Sequence, residues 1–178
     1  MRIITGFLKG RKIPMPQTEG VRPTSDRAKE GLFSALQART SFTGASVLDL
    51  FAGSGNLGFE AISRGAASVS FVEQNKVCVG QIRNLASQFE LEDSVQVFEW
   101  TVERYLESFS GSYDIIFADP PYELSYMQTF PDTVLQRGWL KEDGIFVLEH
   151  DKYNDFKDHE QCLYTKAYGR TTVSMFSK

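Results

Sequence analysis

Cysteine and histidine are scarce in this chain, which has two of each among 178 residues. The four are widely separated and show no zinc-ligand spacing: Cys78, Cys162, His150 and His159. No apolar run reaches the roughly 18 residues that span a bilayer, and no apolar stretch of signal-peptide length follows Met1. We therefore predict a cytoplasmic protein with no metal site and no membrane contact.

A strong positive charge is also missing, since the formal net charge is −4, which is unusual for a nucleic-acid binder. The charge is, however, unevenly distributed. Residues 1–39 contain eight Lys and Arg against three acidic residues, a net charge of +5, and the remaining 139 residues carry −9. Such a basic head is compatible with nucleic-acid binding or with an ordinary solvated surface. Charge alone leaves both interpretations open.

The first 40 residues have their own local pattern. Residues 2–5 and 11–13 are short extended candidates around Gly6 and Gly10, and they predict an N-terminal β-hairpin. Three prolines and a glycine make 14–24 a loop. A helix is then predicted from a cap at Thr24 or Ser25 to about Arg39.

From position 46 onward, short apolar runs alternate with helical segments. We predict strands at 46–51, 68–73, 94–99, 113–118 and 144–149, and helices at 56–64, 75–89, 101–108 and 125–137. This alternation is typical of right-handed βαβ units in a doubly wound parallel α/β sheet. Residues 161–166 and 171–176 are too close in sequence for a crossover helix, so they predict an antiparallel pair. We expect a single domain over 1–178, with a basic appendage at 1–40 and a ligand-binding core at 44–178.

A glycine-rich motif joins the first core strand to its helix. Gly53, Gly55 and Gly58 match the dinucleotide fingerprint, and Glu73 follows at the end of the next strand, where a carboxylate can accept both ribose hydroxyls. Asp49, four positions before Gly53, would repel a pyrophosphate but suits the ammonium and sulfonium groups of S-adenosylmethionine. The motif therefore favours a methyl donor over NAD. A simple tight turn, with Asp49 as a helix or turn cap, is the structural alternative.

A second motif, Asp119-Pro120-Pro121-Tyr122, follows the apolar strand at 113–118. It falls at the carboxyl edge of the sheet, where open α/β folds bind ligands. The Asp119 carboxylate and the Pro120 carbonyl can only accept hydrogen bonds, so they can hold both N–H groups of an exocyclic amine and direct its lone pair at a methyl group. Tyr122 can stack on the extruded base. A rigid turn with a capping Asp is the alternative.

Together the two motifs resemble those of S-adenosylmethionine-dependent amino-methyltransferases. The head narrows the resemblance: Arg22-Pro23-Thr24-Ser25-Asp26-Arg27 and Lys9-Gly10-Arg11-Lys12 are similar to segments of the RsmD family of bacterial 16S ribosomal RNA guanine-N2 methyltransferases. Further matches at 60–66 and at Tyr168-Gly169 extend it over nearly the whole chain. The resemblance implies a seven-stranded methyltransferase sheet, Rossmann-like, with an antiparallel last strand.

The resemblance also implies roles for particular residues. Catalysis would fall to Asp119, Pro120, Pro121 and Tyr122. Cofactor binding would involve Asp49, Phe51, Gly53, Gly55, Glu73 and Thr101. RNA binding would involve Lys9, Arg11, Lys12, Arg22, Thr24 and Arg27. The implied substrate is the exocyclic N2 of a guanine (position 966 in the family) of 16S ribosomal RNA, within an assembling small subunit, and the protein is expected to act as a monomer.

One position departs from the family pattern. Where many relatives carry an acid for the adenine amine after the third strand, this chain has Thr101, so backbone groups of 100–102 or Glu99 could hold the adenine instead. Three other functions stay open: adenine-N6 methylation of DNA or RNA, an RNA-binding module with a vestigial cofactor site, and an NAD-dependent oxidoreductase. Asp49 and the absence of a hydride-transfer constellation disfavour the last.

Overall fold

The computed structural model describes residues 1–16, 26–121 and 123–178. Three of the predicted site residues, Arg22, Thr24 and Tyr122, lie outside the described residues. No helix in the described ranges is long and apolar enough to cross a membrane.

A seven-stranded sheet forms the centre of the described structure, with strand order β3-β2-β1-β4-β5-β7-β6. β1 to β5 are parallel, and β7 is antiparallel to both of its neighbours, β5 and β6. The sheet and the antiparallel last strand agree with prediction. The strands are β1 (Ser46–Leu50), β2 (Ser68–Val72), β3 (Val95–Phe98), β4 (Tyr113–Ala118), β5 (Leu140–His150), β6 (Cys162–Tyr168) and β7 (Thr171–Phe176).

In the described ranges, five α-helices connect and cover these strands: α1 (Asp26–Gln37), α2 (Asn56–Ser63), α3 (Lys76–Gln88), α4 (Val102–Ser108) and α5 (Phe130–Gln136). α3 begins where predicted because the Asn75 side chain accepts hydrogen bonds from the amides of Val77 and Cys78. The helix predicted at 125–137 is shorter than expected. Its first part is a 3₁₀ turn at Met127–Thr129, and the α-helix starts only at Phe130, directly before Pro131.

The sheet separates two apolar layers. One layer contains α1, α2 and α3 residues packed on the sheet, and its ring contacts include Phe33 of α1 against Phe117 of β4 at 5.6 Å between centroids. The other contains α4 and α5, where Phe130 packs on Phe146 of β5. Alternate residues of β1, β4 and β5 therefore face opposite layers, as expected for a doubly wound sheet.

The predicted N-terminal hairpin is present as an antiparallel bridge between Arg2 and Lys12, flanked by backbone hydrogen bonds from the Ile3 amide to the Arg11 carbonyl and from the Ile13 amide to the Met1 carbonyl. Beyond the bridge, the amides of Ile4 and Thr5 donate to the Glu60 carboxylate and fix the hairpin to α2. Ile3 and Ile13 have no exposed surface and belong to the same apolar layer as the sheet.

Candidate active site

The strand order brings the two sequence motifs side by side. β2 lies on one side of β1 and β4 on the other, so the direction of chain progression reverses between β1 and β4. Open α/β sheets bind ligands beyond the carboxyl ends of the strands at such a reversal. Leu50 and Ala118 are paired across β1 and β4, so the glycine loop and Asp119 leave the sheet at neighbouring positions.

The loop between β1 and α2 has an unusual backbone. φ is positive at Phe51 (58°), Gly53 (54°) and Gly55 (77°). Of these residues, Phe51 has a strained backbone, because it is the one that carries a side chain at positive φ. Such strain concentrates at functional sites. Its ring is held edge-on against Phe130 of α5, with 5.9 Å between centroids.

Two glycines are required here by packing. A Cβ on Gly58 would lie 2.3 Å from the Phe71 ring of β2, so its absence lets α2 lie directly on the sheet. A Cβ on Gly55 would lie 2.9 Å from Phe59, and Gly55 also takes positive φ immediately before the helix. These are two of the roles that glycines have in nucleotide-binding loops: turning the chain and letting a helix approach a strand.

Glu73 holds the loop in place. Its Oε2 accepts a hydrogen bond from the Gly53 amide at 2.8 Å, and its Oε1 accepts one from the Asn75 amide at 2.7 Å. The side chain is half-buried at the end of β2. Each carboxylate oxygen keeps a second lone pair, so the arrangement fits a ligand that presents two hydroxyl groups.

Asp49 is 2% exposed, and its Oδ2 accepts a hydrogen bond from the Gly58 amide at 2.9 Å. The capping role that the sequence left open is therefore observed. Burial raises the pKa of Asp49 well above its ordinary value, and the charges of Asp119 and Glu73 raise it further, against the opposing Gly58 bond.

These hydrogen bonds use amides that nucleotide-binding loops present to phosphates. The Gly58 amide is bonded to Asp49 and the Gly53 amide to Glu73, so acidic groups stand where a pyrophosphate would bind. The two carboxylates accept hydrogen bonds and are acidic. They therefore fit a ligand with hydroxyls and positive charge, such as S-adenosylmethionine, better than a dinucleotide. Among the described residues, no group of three His, Cys, Asp or Glu could hold a metal ion.

Asp119 follows β4 directly and is half-buried, Pro120 is buried and Pro121 is exposed. The turn continues with the Leu124 amide donating to the Pro121 carbonyl at 3.0 Å. Asp119 is close enough to raise the pKa of both Asp49 and Glu149 by its charge. The charge of the predicted amine-binding motif thus influences the ionisation of the predicted cofactor-binding motif.

Glu149 also lies at the carboxyl edge of the sheet, and the sequence analysis did not identify it. It is 2% exposed near the end of β5, and burial raises its pKa well above the ordinary value, followed by the charges of Asp119 and then Asp49. A single acid closing the apolar run Ile145–Leu148 was the available signal. It was overlooked because it lies outside both recognisable motifs.

Thr101 is exposed and caps α4, since its hydroxyl accepts from the Arg104 amide at 3.2 Å. Glu99, the alternative adenine partner, lies 3.9 Å from the ammonium group of Lys76. Both side chains therefore have local partners. Of the predicted adenine contacts, the backbone groups of 100–102 are the ones that these interactions leave unaffected.

The basic head is more structured than its composition suggests. Lys9, Arg11, Lys12 and Arg27 are exposed, as an RNA contact requires. Lys29 is not: it is 1% exposed, and its Nζ lies 3.1 Å from Glu60 and donates to the Asn56 side chain and to the Arg2 carbonyl. Burial lowers the Lys29 pKa, and Glu60 opposes that shift.

The comparisons with known proteins agree on one family. The family model described as "Conserved hypothetical protein 95" matches residues 1–177. The chain is 35% identical to ribosomal RNA small subunit methyltransferase D of Haemophilus influenzae, over 85% of this chain and 79% of that protein. It is 33% identical to the putative rRNA methyltransferase YlbH of Bacillus subtilis, over 100% of this chain and 99% of that one.

A solved structure gives the same result for the fold. The putative methyltransferase yhhF from Escherichia coli superposes with a TM-score of 0.86 at 28% identity, and the match covers 100% of this chain and 97% of that chain. The similarity therefore includes the head and the antiparallel tail as well as the central sheet.

Proposed function

The chain belongs to the family described as conserved hypothetical protein 95, and from that membership we propose that it is an enzyme that methylates ribosomal RNA. The specific reaction is transfer of a methyl group from S-adenosylmethionine to the exocyclic N2 of a guanine in small-subunit ribosomal RNA. One observation supports this proposal above all. Leu50 of β1 is paired with Ala118 of β4, so the glycine loop and Asp119 begin side by side at one edge of the sheet, next to Asp49 and Glu73.

The glycine loop and Glu73 form the donor site. S-adenosylmethionine supplies a methyl group activated by a positively charged sulfur. Glu73 binds the ribose hydroxyls with the lone pairs that Gly53 and Asn75 leave free. Asp49 and the loop residues Phe51, Gly53 and Gly55 surround the methionine end, and backbone groups near Thr101 hold the adenine. The acidic surroundings favour a cationic donor.

Asp119 and Pro120 bind the amine that receives the methyl group. The amine is a weak nucleophile because its lone pair is delocalised into the base. Two acceptors that hold both N–H groups orient the lone pair, and the Asp119 charge stabilises the positive charge that develops on nitrogen. Pro121 stiffens the turn, and Tyr122 keeps its predicted role as the stacking partner of the base.

RNA is held by the basic head. Lys9, Arg11, Lys12 and Arg27 have exposed side chains that can contact phosphates, and Arg22 and Thr24 keep their predicted role in RNA binding. We propose that the protein acts as a monomer in the cytoplasm, on 16S ribosomal RNA within an assembling small subunit.

Methyl transfer from labelled S-adenosylmethionine tests this function. The substrates are small-subunit RNA lacking the modification, free and as subunits, and the product is digested to nucleosides. We expect label in N2-methylguanosine, with Asp119→Ala as the inactive control. Label in N6-methyladenosine would replace guanine by the adenine alternative, and cofactor binding without transfer to any RNA or DNA would support a vestigial site.

A further inference from the structure

Glu149 is a buried acid to which neither motif assigns a role. Its Oε1 has no hydrogen-bond partner and no accessible surface in the part of the chain that the structure describes. Within the same ranges no Lys or Arg forms an ion pair with it. A buried polar atom without a partner is expensive, so its presence calls for a functional explanation.

The register of the sheet places Glu149 beside the proposed amine site. Leu148 of β5 pairs with Ala118 of β4, so Glu149 and Asp119 are the next residues along neighbouring parallel strands, where backbones are about 5 Å apart. Ile145 and Val147 face the layer that contains α1 and α2, and by alternation Glu149 faces it too.

Three acids therefore lie on one face at one edge of the sheet. The alternation that orients Glu149 applies equally to Asp49 after Val47 and to Asp119 after Phe117. The opposite neighbour of Glu149, Val173 of β7, is apolar and contributes no charge.

Among the described residues, the buried cation of this layer already has a partner. Lys29 of α1, a buried cation in this layer, is paired with Glu60. The negative charge of Glu73 raises the pKa of Asp49. Closely spaced carboxyls oppose one another's ionisation, and the most buried ones are the ones that stay protonated. The raised pKa values of Glu149 and Asp49 agree with this argument.

We infer that Glu149 determines the preference of the site for the charged methyl donor over the uncharged product. Glu149 is a neutral acid while the edge is empty, gives up its proton when the sulfonium cation binds, and accepts a proton again after the charge has left. This inference rests on the proposed function and adds to it a residue and a basis for product release.

The proton balance of methyl transfer matches this cycle. The amine nitrogen forms the new C–N bond, the C–S bond breaks, and its electron pair stays on sulfur, which becomes a neutral thioether. The nitrogen then loses one proton, and the Glu149 carboxylate can take up one. Glu149 returns to its neutral state, and its attraction for the donor is gone.

Calorimetry in two buffers of different ionisation enthalpy measures the predicted proton release. At pH 7 we expect the parent protein to release protons, up to one per site, on binding S-adenosylmethionine, and markedly fewer with S-adenosylhomocysteine. Glu149→Gln should abolish this difference and reduce the preference for donor over product by about tenfold, because one carboxylate–cation attraction is removed. Glu142→Gln, an exposed acid on the same strand, is the matched control and should behave like the parent.

Urea unfolding against pH provides a measurement that needs no ligand. A carboxyl whose pKa is raised by folding stays protonated while the unfolded chain ionises above about pH 4.3, so its presence makes stability fall as pH rises. Glu149→Gln should therefore lessen the loss of stability between pH 5 and pH 8. An unchanged pH dependence would show that Glu149 is not a neutral acid and would overturn the inference.

The outcomes separate this inference from the proposed function. Donor binding with equal proton release in the parent and in Glu149→Gln overturns the role of Glu149 and leaves the methyltransferase proposal intact. Failure of the parent protein to bind S-adenosylmethionine overturns both. Glu149→Asp retains an acid, so proton release retained in that variant would support the inference and its loss would overturn it.

Discussion

Glu73 joins the geometry of the loop to the chemistry of the donor site, since the same carboxylate accepts amides of Gly53 and Asn75 and is proposed to bind the ribose. We expect Glu73→Ala to weaken S-adenosylmethionine binding by roughly 1.5–3 kcal/mol for each hydrogen bond to the charged group that is removed. Calorimetry measures this, with Glu142→Ala as the exposed control. Unchanged affinity would contradict the ribose assignment.

The loop bonds of Glu73 suggest a second comparison. Glu73→Gln keeps one acceptor oxygen but adds an NH₂ group that cannot accept from the second amide. We therefore expect a partial loss of affinity and a lower urea midpoint. A variant that loses affinity with no change in loop stability would mean that the Gly53 and Asn75 bonds contribute little.

Asp119 is proposed to contact the amine and not the donor, so its variants should lose rate more than donor affinity. We expect Asp119→Asn to slow methyl transfer by about 10²-fold or more, equivalent to at least ~2.7 kcal/mol, because a neutral amide stabilises the developing cation less well. Asp119→Ala should be slower still, because no acceptor remains. Single-turnover rates and donor titrations on both variants make the measurement.

Two results would contradict the role of Asp119: transfer at the parent rate in Asp119→Ala, or a defect confined to donor binding. The charge of Asp119 also raises the pKa of Asp49 and of Glu149. Its removal should therefore make those acids easier to ionise, and the donor titration should be repeated at two pH values.

The residues of the site differ in how far the sequence could predict them. The positions of Glu73 and Asp119 at the carboxyl ends of strands were predictable because the apolar strands before them are local signals. Glu149 was not, because a lone acid at the end of a strand has no local signature and gains its meaning from strand order. Thr101 was predicted at the adenine position after the third strand, and its hydroxyl caps α4, which is a common use of threonine at a helix start.

At the scale of elements, a buried polar cluster connects α1, α2 and the N-terminal segment. Glu60 of α2 accepts the amides of Ile4 and Thr5 and pairs with Lys29 of α1 and with Arg64. Lys29 in turn bonds Asn56, the residue after Gly55 of the glycine loop. The helix that follows the Arg22–Thr24 region is thus fixed directly to the proposed donor site.

Lys29→Met tests the contribution of that cluster to stability. Removing one partner of a buried ion pair typically costs about 3–5 kcal/mol, and we expect the lower end because Arg64 still neutralises Glu60. Urea unfolding measures the change, with Arg27→Met on the exposed side of α1 as a control expected within about 0.5 kcal/mol of the parent. A loss no larger than that of the control would show that Lys29 contributes little.

The strands and helices were largely predictable because apolar periodicity and cap residues are local signals. The N-terminal hairpin was predicted from local signals and is confirmed by the antiparallel bridge between Arg2 and Lys12. The bonds from the Ile4 and Thr5 amides to Glu60, more than 50 residues away, are non-local and were not predicted. Lys29 was counted among the surface charges for the same reason. Its partner lies on another helix, and no spacing within α1 reveals that pairing.

At the scale of the whole molecule, residues 4–8 of the basic head lie alongside α2. The Leu8 amide donates to the hydroxyl of Ser63, the last residue of α2, while Gly55 immediately precedes its first residue. A helix of eight residues is about 12 Å long, so Lys9 and its neighbours lie roughly one helix length from the glycine loop. RNA that reaches both must follow this side of the molecule.

The RNA prediction follows from this arrangement and is best tested by point changes. Deleting the head would remove Ile3 and Ile13, which have no exposed surface, and would confuse weaker binding with lower stability. Arg11→Ala combined with Lys12→Ala leaves the core intact. RNA affinity should fall, and the slope of log affinity against log salt should fall by about 0.7 for each phosphate of single-stranded RNA that the variant no longer neutralises.

The matched control removes two exposed lysines of the acidic body, Lys152→Ala with Lys157→Ala, and changes the net charge by the same amount. If binding responded to net charge alone, both double variants would show the same reduction of affinity and slope. We expect only the head variant to show a smaller slope, because counterion release depends on local phosphate neutralisation and not on the total of −4. Equal slopes in the parent and the head variant would mean that Arg11 and Lys12 are merely solvated and that RNA approaches the acidic edge by another surface.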